Sequence, residues 1–166
     1  TPTLRKPTAE DGADIWALVR ACKPLDENSM YCNLIQCDHF RETCMVAELD
    51  GRVGGWVSAY ILPYDPETLF VWQVAVSEQA RGAGLGTQML NGLLGRDVCD
   101  GVKQVQTTIT SDNESSWALF RKFAGNRDSK LGVQPYYTQA LHFRDQHSTE
   151  YMVTIDLNRD RMRAAA

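Results

Sequence analysis

A β-branched run that breaks into alternating glycines constrains this chain more than any other stretch. Val74-Ala75-Val76 leads into Ser77-Glu78-Gln79-Ala80-Arg81-Gly82-Ala83-Gly84-Leu85-Gly86-Thr87, and Gln88-Met89-Leu90-Asn91-Gly92-Leu93-Leu94 follows. The pattern reads as strand, glycine loop, helix. Gly82, Gly84 and Gly86 remove side chains where backbone N–H groups must come close to something. The helix behind them adds its unpaired first-turn donors and the positive end of its dipole. Together these form an anion site, and phosphate is the anion such a loop suits.

Known phosphate motifs can be tested letter by letter. The P-loop needs Gly-Lys-Ser/Thr, and the chain has Gly86-Thr87-Gln88. The dinucleotide fingerprint G-x-G-x-x-G needs a glycine where Thr87 stands. The pattern Q/R-x-x-G-x-G/A does fit, as Gln79-x-x-Gly82-x-Gly84. A hydrophobic strand precedes it, an amphipathic helix follows, and Asp112-Asn113 opens another helix about one strand later. In that setting the stretch resembles the pyrophosphate loop of the GCN5-related N-acetyltransferases, which bind acetyl-CoA. The alternative is a tight strand–helix turn with no ligand.

The rest of the chain supplies a fold around this loop. Its 166 residues suit one domain with a real core. Thr3 to Thr8 reads as a short strand, and Thr8 with Asp11 as an approximate capping box. Ile15, Leu18, Val19 and Cys22 recur at helical spacing up to Pro24. After the polar turn Leu25-Asp26-Glu27-Asn28-Ser29, Asn28 or Ser29 caps a second helix with Tyr31, Leu34 and Ile35 as its buried stripe. Thr43–Leu49 and Arg52–Leu62 flank an Asp50-Gly51 hairpin turn, and Gly54-Gly55 marks a bulge or a close approach. Pro63–Thr68 reads as a loop and Leu69–Val76 as a central strand buried on both faces. Val102–Thr110 is a strand. Asp112 caps a helix with Trp117, Phe120 and Phe123, and 125–134 is a polar, mobile loop. Tyr136–Phe143 and Tyr151–Leu157 are the last strands. The expected organisation is a single domain over residues 1–158 and a frayed tail over 159–166. Its class is α/β in the mixed α+β sense, a sheet with helices on both faces.

Composition excludes several functions. A net charge of −4 argues against a nucleic-acid surface and favours a cationic substrate. Five cysteines without a C-x-x-C spacing read as reduced thiols of a cytoplasmic protein. No apolar run reaches membrane-spanning length and none reads as a signal peptide. The three histidines, His39, His142 and His147, lack close ligand spacing, so no metal is expected.

The resemblance implies a mechanism and a set of contacts. The sheet is expected to be mostly antiparallel with one splayed strand pair. In that family the strand before the glycine loop pairs with the pantetheine arm and aims one N–H at the acetyl oxygen. Here that segment is Val74, Ala75 and Val76. Donors fixed on a developing oxyanion are a large part of such catalysis. The cofactor would then be held by these three together with Gln79, Arg81, Gly82, Ala83, Gly84, Leu85, Gly86 and Thr87, and by Asn113 and Phe120 on the later helix. Asn113 also reads as a helix cap, and Phe120 as a core aromatic. The family often has a tyrosine at the position of Phe120 as acid for the leaving thiolate, and this chain lacks it.

The acceptor amine must be neutral to attack. A lysine-like amine has a reference pKa near 10.4, so roughly one molecule in 10³ is neutral at pH 7. A carboxylate or imidazole must attract the cation and take or relay its proton. Asp26, Glu27, Asp38, His39, His142, Asp145, His147 and Glu150 are candidates. The stretches Pro24–Cys32, His39–Phe40, Thr43–Glu48, Phe70–Val76, Thr110–Asn113 and His142–Phe143, with His147 and Glu150, sharpen the resemblance. They resemble the branch of the family that acetylates the γ-amino group of L-2,4-diaminobutyrate in ectoine biosynthesis, commonly as a homodimer. That branch implies an acceptor pocket of Asp26, Tyr31, Trp72, His147 and Glu150, with Asp26, His147 and Glu150 in catalysis. Trp72 otherwise reads as a core tryptophan. Arg41, Arg52, Arg144, Gln73 or backbone N–H groups remain open for the substrate carboxylate. Two other readings stay open: the same fold acting on a polyamine, an aminoglycoside or a protein amino terminus, and a noncatalytic acyl-CoA-binding module.

Overall fold

Where β-branched residues alternate the chain forms strands, and where apolar residues recur at three and four it forms helices. The structure, a computed structural model, describes residues 1–159. In chain order its elements are β1 (Thr3–Arg5), α1 (Gly12–Ala21), α2 (Met30–His39), β2 (Met45–Leu49), β3 (Arg52–Leu62), β4 (Asp65–Val76), α3 (Leu85–Leu94), β5 (Gln104–Thr110), α4 (Glu114–Gly125), β6 (Gly132–Tyr137) and β7 (Glu150–Asp156). The strand order is β1-β2-β3-β4-β5-β7-β6. The pairs β1–β2, β2–β3, β5–β7 and β6–β7 are antiparallel. The chain divides into two compact units, Thr1–Ile61 with Val71–Gly101, and Leu62–Phe70 with the chain from Val102 on. No helix among the described residues is long and apolar enough to cross a membrane.

The first unit is built on the stripes read from the sequence. Ile15, Leu18, Val19 and Cys22 pack with Cys37, Cys44, Val46, Trp56 and Ala75 in one buried cluster. Each large side chain there contributes on the order of 1.5–3 kcal/mol by leaving water. Ser29 caps α2, its Oγ accepting from the Cys32 N–H at 3.0 Å. The capping box at Thr8 and Asp11 is present, and the Thr8 N–H donates to the Asp11 carboxylate at 2.7 Å. Asp11 is 8% exposed and receives both Arg5 Nη atoms at 2.8 Å. These bonds outweigh the cost of burial and hold its carboxyl below the usual carboxylate range. Burial, reinforced by the Asp11 charge, pushes the Cys37 thiol up to about 12. All five cysteines are free thiols, in keeping with the reduced state expected.

The paired glycines of β3 do both things the sequence suggests. The ladder shifts register between Ala47 and Glu48. A Cβ on Gly55 would lie 2.9 Å from Met89 Sδ and 3.1 Å from Ala47 Cβ, so helix α3 lies close over this glycine.

In the second unit β5 and β7 run in register from Gln104↔Asp156 to Thr110↔Glu150. Val105 and Ile109 of β5, Met152, Val153 and Ile155 of β7, and Phe120, Phe123 and Ala124 of α4 are buried. β6 is exposed along its whole length and carries Pro135, which an edge strand tolerates because it needs no ladder N–H there.

Most strands differ from the sequence reading at one or both boundaries, and the differences at β1, β4, α4 and β6 have identifiable causes. β1 stops at Arg5 because Pro7 has no N–H to donate and Thr8 turns into the cap. β4 starts at Asp65 rather than Leu69. Its polar opening is stabilised by side chains: Thr68 Oγ1 donates to Asp65 Oδ2 at 2.5 Å and accepts from Gln104 Nε2 at 2.7 Å. Asn113, not Asp112, caps α4. The Asp112 carboxylate instead accepts from Thr110 Oγ1 at 2.6 Å. The penultimate strand is Gly132–Tyr137 rather than Tyr136–Phe143, so the end of the expected 125–134 loop is strand. The Thr138 carbonyl accepts from the His142 and Phe143 N–H groups at 3.0 and 3.1 Å, which bends 138–143 into a turn. Of the expected tail, residues 160–166 lie outside the described residues, whereas Arg159 Nη1 donates to the Val102 carbonyl at 2.9 Å.

Candidate active site

The glycine loop leaves β4 at Val76. The Ser77 N–H donates to the Gly54 carbonyl at 2.9 Å, and Glu78–Ala80 form one 3₁₀ turn. Gly82 and Gly84 then adopt left-handed φ values of +86° and +75°. Side chains rarely adopt that region, so the glycines are required by the backbone alone. A Cβ on Gly82 would meet no protein atom within 4 Å, so the space over it is open. Gly84 is the N-cap of α3 and brings no side chain to its first turn. The first helical bond runs from the Gln88 N–H to the Gly84 carbonyl at 3.0 Å. The N–H groups of Leu85, Gly86 and Thr87 precede it in the first turn and have no intrahelical acceptor. With the helix dipole they fit a pyrophosphate.

Around this loop the expected cofactor residues divide. Gln79 and Ala83 are exposed, Leu85 and Gly86 are buried, and Thr87 is half-buried. Arg81 is exposed but folds back, its Nε donating to the Val76 carbonyl at 3.3 Å. The Cys22 thiol donates to the same carbonyl at 3.5 Å, so two side chains hold the end of β4. Ala75 is buried, with Val74 and Val76 half-buried beside it. On α4, Asn113 Oδ1 accepts from the Ser116 N–H at 3.2 Å, so its cap role is realised. Phe120 is 2% exposed and packs in the core of its unit.

The expected acceptor residues come from several elements. Asp26 is exposed in the loop before α2, with its carbonyl accepting from Gln73 Nε2 at 2.8 Å. Tyr31, on the first turn of α2, is 71% exposed rather than part of a buried stripe. The stripe is instead Asn33, Gln36 and Cys37. Trp72 is 41% exposed and meets Tyr60 edge-on, with ring centroids 6.4 Å apart. Tyr60 in turn lies 6.1 Å from Phe40, making an aromatic row that sequence spacing does not disclose.

In the second unit, Glu150 opens β7 opposite Thr110 and is half-buried. His147 stacks on Phe143 at 4.4 Å, and its Nδ1 lies 2.6 Å from the Ser148 carbonyl. A carbonyl only accepts, so Nδ1 carries the proton and Nε2 is the basic nitrogen of the neutral ring. His142 has the opposite tautomer. Its Nδ1 accepts from the Thr138 N–H at 2.9 Å and closes the loop.

Other candidates are spent on structure. Glu27 pairs with Lys23 at 2.8 Å and Arg20 at 3.3 Å. Asp38 pairs with Arg41 at 3.5 Å. The Gln73 amide, one of the groups considered for the substrate carboxylate, is bonded at both ends to the Asp26 loop.

A left-handed glycine loop that leaves a helix N-terminus uncapped is suited to a phosphate-bearing ligand. The chain belongs to the acetyltransferase (GNAT) family, whose model matches residues 13–125. It is 48% identical over 153 residues to the L-2,4-diaminobutyric acid acetyltransferase of Methylotuvimicrobium alcaliphilum, covering 92% of this chain and 89% of that one. The Vibrio cholerae enzyme of the same name is 44% identical, covering 93% and 89%. Among solved structures, diaminobutyrate acetyltransferase EctA from Paenibacillus lautus, in complex with its substrate L-2,4-diaminobutyric acid and coenzyme A, superposes with a TM-score of 0.88. It is 37% identical, over 94% of this chain and 95% of that chain.

Proposed function

We propose that this chain transfers the acetyl group of acetyl-CoA to the γ-amino group of L-2,4-diaminobutyrate, giving N4-acetyl-L-2,4-diaminobutyrate in ectoine biosynthesis. The observation that carries the reading is its likeness, over nearly all of both chains, to an enzyme solved with that substrate and coenzyme A. The uncapped N-terminus of α3 behind Gly82 and Gly84 supplies the matching pyrophosphate grip.

The chemistry follows from the groups present. The neutral γ-amine attacks the thioester carbon, and negative charge develops on the acetyl oxygen. A backbone N–H of Val74–Val76 stabilises that charge. Collapse expels the coenzyme A thiolate and leaves the amide. Phe120 has no proton to give, so solvent or another group protonates the thiolate. Asp26 and Glu150 hold cationic groups of the acceptor. An α-ammonium kept in an ion pair cannot attack, which directs acetylation to the γ-nitrogen. His147, through Nε2, or an ordered water takes the γ-proton. Trp72 offers a ring face to the cation and Tyr31 a hydroxyl.

We assign the protein to the cytoplasm, in keeping with its five free thiols. We also read it as a homodimer, with neither nucleic acid nor membrane as partner. The wholly exposed β6, with Val133, Tyr136 and Tyr137 on it, supports self-association.

Thiol release from acetyl-CoA over an amine panel tests the reading. Release with L-2,4-diaminobutyrate should exceed that with 1,4-diaminobutane by at least about 10²-fold, because only the amino acid satisfies a site built for its carboxylate. Equal rates with the two amines would replace the amino-acid reading by a polyamine one. Acetyl-CoA binding with no release for any amine would favour a noncatalytic module.

A further inference from the structure

We infer that Gln73 is a positioning residue that fixes the Asp26 loop and through it sets the affinity for the acceptor amine. The inference rests on the proposed role of Asp26.

Gln73 interrupts an apolar stripe. Along β4, Val71, Gln73 and Ala75 share one face, and all three are buried, at 0%, 7% and 1% exposure. An amide buried there costs about 1–3 kcal/mol if its groups go unpaired, so its retention needs partners. Gln73 Nε2 donates to the Asp26 carbonyl at 2.8 Å. Its Oε1 accepts from Asn28 Nδ2 at 3.3 Å. Its own backbone N–H donates to Ser58 Oγ at 3.1 Å, and Ser58 is fully buried. The amide therefore hangs from a rigid strand and grips two residues of the loop between α1 and α2.

The two ends of that loop are fixed separately. The Leu25 N–H donates to the Cys22 carbonyl at 3.0 Å, and the Ser29 cap starts α2. Between these ends Gln73 binds on both sides of Glu27, at Asp26 and Asn28. A shift of the loop by an ångström would carry the Asp26 carboxylate with it. Loss of the grip would weaken acceptor binding and leave the glycine loop unaffected.

The variant Gln73→Met keeps the length and removes both hydrogen bonds. Gln73→Glu keeps the acceptor for Asn28 and sets a carboxylate against the Asp26 carbonyl. The expected result for each is a rise of about 10-fold in KM for L-2,4-diaminobutyrate, with KM for acetyl-CoA changed by less than about 2-fold. In an Asp26→Asn background, adding Gln73→Met should change KM by less than about 2-fold, because residues that act through one another are not additive. Thermal melting identifies which variants are folded at the assay temperature, and Gln73→Glu decides the matter if Gln73→Met is not.

An unchanged KM for diaminobutyrate in a folded Gln73 variant overturns the inference while leaving Asp26 in place. Equal rises in both KM values, or full additivity with Asp26→Asn, also overturn it. If Asp26→Asn alone has no effect on KM or turnover, the role of Asp26 fails first and the inference falls with it.

Discussion

Asp26→Asn and Glu150→Gln should each lower turnover of L-2,4-diaminobutyrate by about 10²-fold, with acetyl-CoA affinity held within about 2-fold. Both substitutions keep shape and remove charge. A charged hydrogen bond to an ammonium group is worth about 1.5–3 kcal/mol, and at 1.36 kcal/mol per decade that is one to two powers of ten. In whichever variant loses the proposed ion pair on the α-amine, that amine is also released to compete as nucleophile, which adds to the fall in productive γ-transfer. The asymmetry between the two substrates is the informative part. The acetyl-CoA grip proposed at Gly82–Thr87 uses backbone donors of an uncapped helix start, so removing a carboxylate from Asp26 or Glu150 should not disturb it. Steady-state thiol release together with calorimetric titration of acetyl-CoA reads both quantities. Near-normal turnover in both variants would remove the two carboxylates from the mechanism.

The second large effect is expected at Gly82. Gly82→Val should raise KM for acetyl-CoA by at least about 10-fold, with a stability cost of only about 1–2 kcal/mol from its left-handed backbone. The protein itself would not clash, since a Cβ at Gly82 meets nothing within 4 Å. The new side chain would occupy the open space over the loop, where the proposed grip brings the pyrophosphate to the backbone. Gly51 provides the control. It has a similar φ of +75° and open surroundings, but it lies in the β2–β3 turn. Gly51→Val should carry comparable strain and leave KM for acetyl-CoA unchanged. A Gly82→Val enzyme with normal KM would mean that the cofactor is held elsewhere.

The glycine loop was the most legible part of the chain because its requirements are local. Backbone conformation at Gly82 and Gly84 and the uncapped start of α3 depend on a few adjacent residues, and alternating glycines announce them. The core was legible for a related reason, since Ile15, Leu18, Val19 and Cys22 lie on one helix face whatever they pack against. At β4 and α4 the boundaries were set by side-chain hydrogen bonds between residues far apart or of ambiguous type. Thr68 joins β4 because Gln104 reaches it across 36 positions, and no pattern within 63–68 shows that. Asp112 and Asn113 are both good caps, and only Thr110 decides between them by engaging Asp112. Among the candidate site residues, Asp26, Tyr31, Trp72, His147 and Glu150 came from resemblance, because nothing in spacing distinguishes them from surface acids and core aromatics. The tautomer of His147 and the grip of Gln73 on the Asp26 loop required the fold.

The position of the acetyl group in the product tests the central claim most directly. The enzyme is supplied with acetyl-CoA carrying a ¹³C-labelled acetyl group and L-2,4-diaminobutyrate, and the product is read by two-dimensional NMR. A label correlated with the γ-methylene protons is the expected result, and it establishes cofactor, acceptor and regiochemistry in one spectrum. A label on the α-nitrogen would contradict the ion-paired α-amine. Thiol release without an acetylated diaminobutyrate would contradict the substrate itself.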